Sequence, residues 1–153
     1  MSQIKHEKSC GAIVLRTEDG EPGRLVLLIR QYEGGPVSFP KGHVEPGEAE
    51  KETAIREVFE ETSVKIRIEC DFRKTVHYSP APGAEKEVVY FLGTTEQKST
   101  SPNEGEIAEV FWADVRRAAA MLEHENDRRV LDAALGYAEK NGFTGDGELS
   151  LSR

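Results

Sequence analysis

One segment constrains this chain more than any other: Gly42 to Val64, GHVEPGEAEKETAIREVFEETSV, which stacks carboxylates on a helix. From Glu48 to Thr62 the pattern is helical. At about 100° per residue, Ala54, Ile55, Val58, Phe59 and Thr62 fall within about 140° of one another and predict a buried stripe. Glu50, Glu57, Glu60 and Glu61 fall within about 100° on another side. Glu57 and Glu61 are four residues apart, so they stand one above the other. Like charges at that spacing destabilise an isolated helix, so such a face needs solvent, basic partners or bound cations. The approach to the helix points to cations. Phe39-Pro40-Lys41-Gly42 and Pro46-Gly47 are two constrained turns that bring backbone carbonyls toward the acidic face. A hard cation such as Mg²⁺ takes that mixture of carboxylate, carbonyl, water and phosphate oxygens.

The same segment resembles the box of the Nudix hydrolase family, G-x5-E-x7-R-E-U-x-E-E-x-G-U, where U is a bulky aliphatic residue. Gly42, Glu48, Arg56, Glu57, Val58, Glu60, Glu61 and Val64 fall in register. Ser63 replaces the second glycine; that position ends the helix, where φ > 0 is favoured. The resemblance implies a mixed sheet between helices over residues 5–142. It also implies roles: Glu57, Glu60 and Glu61 bind metal with the Gly42 carbonyl, Arg56 orients those carboxylates, and Glu48 is a supporting residue. Catalysis would then rest on Glu57, Glu61, Arg56 and a later glutamate, Glu106 (NEGEIAEVFW), with Glu104 as its alternative. The implied cofactor is Mg²⁺, with Mn²⁺ as a substitute, and the implied reaction is hydrolysis of a phosphoanhydride bond.

The rest of the chain is consistent with one α/β or α+β domain. Strand-like runs are Cys10–Arg16, Leu25–Ile29, Val37–Phe39, Val64–Ile68, Phe72–Tyr78, Glu87–Leu92 and Ile107–Trp112. Turns are expected at Glu18-Asp19-Gly20 with Pro22-Gly23, and a loop at Ser79–Gly83. Asp114 is a helix N-cap for Val115–Leu122, and Asp127–Lys140 is an amphipathic helix ended by Asn141-Gly142. Residues 143–153 read as a frayed tail. Cys10 and Cys70 lie far apart without CxxC spacing and read as buried free thiols.

The 28 acidic residues outnumber 20 basic ones, a formal charge of -8, which argues against a broad nucleic-acid groove. With no run near the ~20 apolar residues of a membrane span and a polar start, MSQIKHEKSC, a cytoplasmic location is expected. The wider sequence is similar to the asymmetric diadenosine tetraphosphate hydrolases of the family, through FPKGHVEPGE, Tyr78, the Lys86-x3-Tyr90 spacing and the Glu106-to-Trp112 spacing. That similarity implies a small nucleotide substrate, with Lys41, His43 and Lys86 on phosphates and Tyr78 stacked on adenine. Tyr90, inside a strand, reads as core. A nucleoside triphosphate, ADP-ribose or a diphosphoinositol polyphosphate is the alternative substrate. A non-catalytic nucleotide sensor on the same fold would be expected to lack the metal carboxylates, which are all present.

Overall fold

A computed structural model describes residues 5–18 and 21–141. The expected turn at Asp19-Gly20, the helix stop at Gly142 and the tail lie outside the described residues. In chain order the elements are β1 (Lys5–Glu18), β2 (Glu21–Arg30), β3 (Val37–Ser38), β4 (Lys41–His43), α1 (Glu50–Thr62), β5 (Arg73–Ala81), β6 (Ala84–Thr95), β7 (Glu109–Asp114), α2 (Val115–Met121) and α3 (Glu125–Lys140). Among the described residues the strands form one mixed sheet in the order β3-β2-β1-β6-β5, with β4 also on β1 and β7 on β2. The long β1–β6 pair is parallel; the other pairings are antiparallel.

Period-two alternation sends each strand's side chains to two layers. Ile13, Leu15, Val26, Leu28, Val88, Tyr90 and Leu92 face a cluster with Val130, Leu131, Ala134 and Ala138 of α3. Ala12, Val14 and Leu27 face Val58 of α1, while Cys10, Val89 and Phe91 face its Ala54. The sheet is therefore covered on both faces, the expected helix–sheet–helix arrangement. Among the described residues no helix is long and apolar enough to cross a membrane. Cys10 and Cys70 are buried and free.

Several expectations are corrected. Ile55 and Phe59 are 38% and 44% exposed, while Thr53, Ala54, Val58 and Thr62 are the buried residues of α1. The buried face thus straddles the direction in which Glu57 and Glu61 point, and the two large apolar residues rotate outward; the Lys65 ammonium lies 5.9 Å from the Phe59 ring. Val64–Ile68 is no strand, having only an isolated bridge between Arg67 and Thr94. Residues 79–81, expected in a loop, continue β5 to a tight turn at Pro82-Gly83, where Gly83 has φ +79°. Pro80 fits because β5 is an edge strand with its pairing shifted between Tyr78 and Ala81. Pro22-Gly23 falls inside β2, and α3 begins at Glu125, two residues early. Ser63 caps α1 with φ 66°, the left-handed conformation that the missing glycine would adopt without strain.

Candidate active site

Arg56 organises the approach to α1. Its Nε donates to Glu48 Oε2 at 2.7 Å and its Nη2 to Glu48 Oε1 at 2.9 Å, a two-pronged pair. Nη2 also donates to the His43 carbonyl at 3.0 Å, and Nη1 to Glu57 Oε2 at 2.9 Å and Glu60 Oε1 at 3.2 Å. Glu48 additionally accepts from the Thr53 hydroxyl at 2.6 Å and the Glu45 amide at 3.1 Å. The guanidinium and these donors hold the Glu48 carboxyl down at about 2. One side chain therefore ties the 43–48 loop to the helix and to two of its carboxylates.

Beside it, a cleft of about 290 Å³ is lined by Ser9, Gln31, Lys41, Gly42, His43, Glu45, Glu57, Glu61, Lys86 and Glu106. β4 supplies Lys41, Gly42 and His43 because it pairs with Ser9–Gly11 of β1, under α1. A side chain on Gly42 would collide with the Glu57 carboxylate, so the glycine makes that carboxylate's seat. Burial raises Glu57, against the pull of Arg56. Glu61 accepts from the Lys41 amide at 3.2 Å, yet burial pushes it up to about 7, with Glu57 and Glu106 adding repulsion. Glu106 comes from the loop before β7 and accepts from the Asn103 amide group, whose own backbone N–H bonds the Glu61 carbonyl at 3.3 Å.

Other expected site residues lie differently. Glu60 is half exposed on Arg56 and outside the cleft lining, as is Glu104. Glu50, placed on the acidic face by its spacing, pairs instead with Lys8 at 2.5 Å and Arg73 at 2.8 Å. His43 is mostly exposed, with Nε2 3.1 Å from Glu7.

Among the described residues no three His, Cys, Asp or Glu side chains are gathered to hold one ion, Glu57 being turned to Arg56. The donor chemistry nonetheless fits a hard divalent cation. Glu57, Glu61 and Glu106 present oxygens to one cleft, and the negative charge at Glu61 is both desolvated and crowded.

A second cavity of about 350 Å³ shares Gln31, Lys41 and Lys86 with the first and continues to Tyr78, Tyr90 and Asp127. Lys41 is lowered by burial and by Lys86. The Tyr78 hydroxyl donates to Asp127 Oδ1 at 3.2 Å. Tyr90 is fully buried in the core, as expected, edge-on to Phe39 with ring centres 5.5 Å apart. Asp127 was not among the expected site residues: an acid in the first turn of a helix ordinarily reads as helix-end stabilisation. Only the pairing of distant strands reveals that it faces Tyr78 and Lys41.

The chain is similar to several known proteins. A mutator protein of Mycobacterium tuberculosis, MutT4, is 32% identical over 152 residues, 95% of this chain and 60% of that protein. The asymmetrical bis(5'-nucleosyl)-tetraphosphatase of Caenorhabditis elegans is 36% identical over 88 residues, 56% of this chain and 62% of that protein. The chain thus spans about three-fifths of each of these relatives. The crystal structure of a C. elegans Ap4A hydrolase binary complex superimposes with a TM-score of 0.76 at 26% identity, covering 88% of this chain and 98% of that one. The model of the NUDIX domain matches residues 5–134, and with the box carboxylates gathered by Arg56 on α1 the chain belongs to the NUDIX family.

Proposed function

We propose that the chain hydrolyses a phosphoanhydride bond of a nucleoside polyphosphate with Mg²⁺ or Mn²⁺, and that its substrate is diadenosine tetraphosphate, released as ATP and AMP. The observation that carries this reading is the junction of the two cavities. Carboxylates Glu57, Glu61 and Glu106 lie at one end, Lys41 and Lys86 in the shared middle, and the Tyr78 ring at the other. Glu60 lies on Arg56 outside the cleft lining, whereas Glu57 and Glu61, with the Gly42 carbonyl, would hold the cation. When bound, it would neutralise phosphate charge and make a water more acidic. Lys41, Lys86 and His43 bind the polyphosphate and fix the scissile phosphorus near the acids, while Arg56 keeps Glu57 oriented. A glutamate of the box or Glu106 takes the proton of the attacking water. That water's oxygen joins phosphorus, and the bridging oxygen leaves with the departing phosphate. Tyr78 stacks the adenine.

The tetraphosphatase relative and its solved structure support this substrate. The longer alignment, to the mutator protein, favours a second reading, a nucleoside triphosphate. Product analysis decides between them. Purified chain with Mg²⁺ is given diadenosine tetraphosphate, dATP, dGTP, ADP-ribose and a diphosphoinositol polyphosphate. Faster formation of ATP plus AMP than any other turnover is expected; an intact tetraphosphate beside a cleaved competitor would refute the substrate.

A further inference from the structure

The second cavity has polar groups that phosphate binding leaves unused. Asp127 is 2% exposed, and the hydrogen bond it receives, from Tyr78, goes to Oδ1. No donor among the described residues reaches Oδ2. Tyr90 lines the same cavity, and its hydroxyl is wholly buried with no hydrogen-bond partner among the described residues. The Asp127 charge acts on that hydroxyl, yet the two do not bond. A buried hydroxyl left without a partner, as at Tyr90, is costly and calls for a reason. Beside the polar residues of the lining, Tyr32, Pro36, Tyr78 and Pro80 offer apolar surfaces that suit a planar ring. The volume, about 350 Å³, lies within the range of small-ligand pockets.

We propose that Asp127 and Tyr90 read the hydrogen-bonding edge of an adenine held in this cavity, Asp127 accepting from the 6-amino group and Tyr90 donating to the neighbouring ring nitrogen. One free carboxylate oxygen beside one unpartnered hydroxyl matches an edge with one donor next to one acceptor. Asp127 is thus a specificity-determining residue. Its place in the first turn of α3 would otherwise be explained by helix-end electrostatics alone. The proposal rests on the nucleotide reading above, but its test does not need turnover.

Binding of AMP and of the ribonucleotide of unsubstituted purine, which lacks only the 6-amino group, is measured by calorimetry on the full chain without metal. AMP is expected to bind on the order of tenfold more tightly, the effect of one hydrogen bond to a charged acceptor. In Asp127→Ala the ratio falls to about one, and in Asp127→Asn, whose amide oxygen accepts the same N–H, most of it returns. Tyr90→Phe weakens AMP binding but not that of its 1-deaza analogue. Equal binding of the two nucleotides by the wild type overturns the proposal, and so does a ratio that survives in Asp127→Ala. The matching kcat/KM comparison, on tetraphosphates carrying adenine or unsubstituted purine, is run in parallel. If nothing is hydrolysed while the binding ratio holds, the hydrolase reading falls and the base-reading one stands.

Discussion

Arg56 donates to Glu48, Glu57, Glu60 and the His43 carbonyl at once, and its side chain is 24% exposed. Removing it leaves partly buried carboxylates unmatched. Arg56→Ala is expected to cost roughly 2–3 kcal/mol of unfolding free energy, read by urea titration. Arg56→Lys restores the charge without the planar fork and should recover less than half of that. Glu61 gives the opposite sign. Its folded pKa of about 7 lies above the ordinary 4.5, so the folded state binds this proton more tightly than the unfolded one. Its contribution to stability is therefore fullest below about 4.5, declines as pH rises through 7, and is lost above. In EDTA the chain should lose up to roughly 3 kcal/mol between pH 5 and pH 8 from this group. Glu61→Gln should flatten that slope, which unfolding at the two pH values would detect.

At the scale of elements, α1 sets the outcome. Its period and its carboxylates are legible in the sequence, but which side meets the sheet is not. The apolar and acidic faces adjoin, and only packing on β1 and β4 turns Glu57 and Glu61 into the cleft and Ile55 and Phe59 out. Strands were legible where apolar alternation was long, as in β1, β2 and β6. The three-residue β4 exists only because β1 offers it partners, and Val64–Ile68 fails as a strand because it finds one bridge. Non-local pairing leaves no local signal. The end of α1 carries a prediction. Ser63 sits at φ 66°, where a Cβ costs about 1 kcal/mol. Ser63→Gly relieves that strain but gives up the hydroxyl's bond to the Ser101 carbonyl at 3.2 Å. A net gain of about 0.5 kcal/mol is expected, with kcat unchanged; a loss of stability would show that the hydroxyl outweighs the backbone.

Across the whole molecule, the candidate site draws on residues from Ser9 to Asp127. Lys41, Gly42 and His43 come from β4, Glu57 and Glu61 from α1, Lys86 from β6, Glu106 from the loop before β7, and Asp127 from α3. The sequence motif makes the first five legible, since it keeps them within about twenty residues of one another. Glu106 and Lys86 are legible only through the family's spacing, and Asp127 not at all, because topology alone brings α3 over the second cavity. In a chain with a net charge of -8, Lys41 and Lys86 put positive charge between the acids and the Tyr78 ring, where the proposed polyphosphate would lie. The proposed role of Glu57 and Glu61 is to carry divalent-cation-dependent hydrolysis. Its most direct test is kcat for diadenosine tetraphosphate with Mg²⁺ in the wild type, Glu57→Gln and Glu61→Gln, with unfolding followed on the same samples. A fall of at least about a hundredfold is expected in each variant, with folding retained. Wild-type turnover in either folded variant would contradict it.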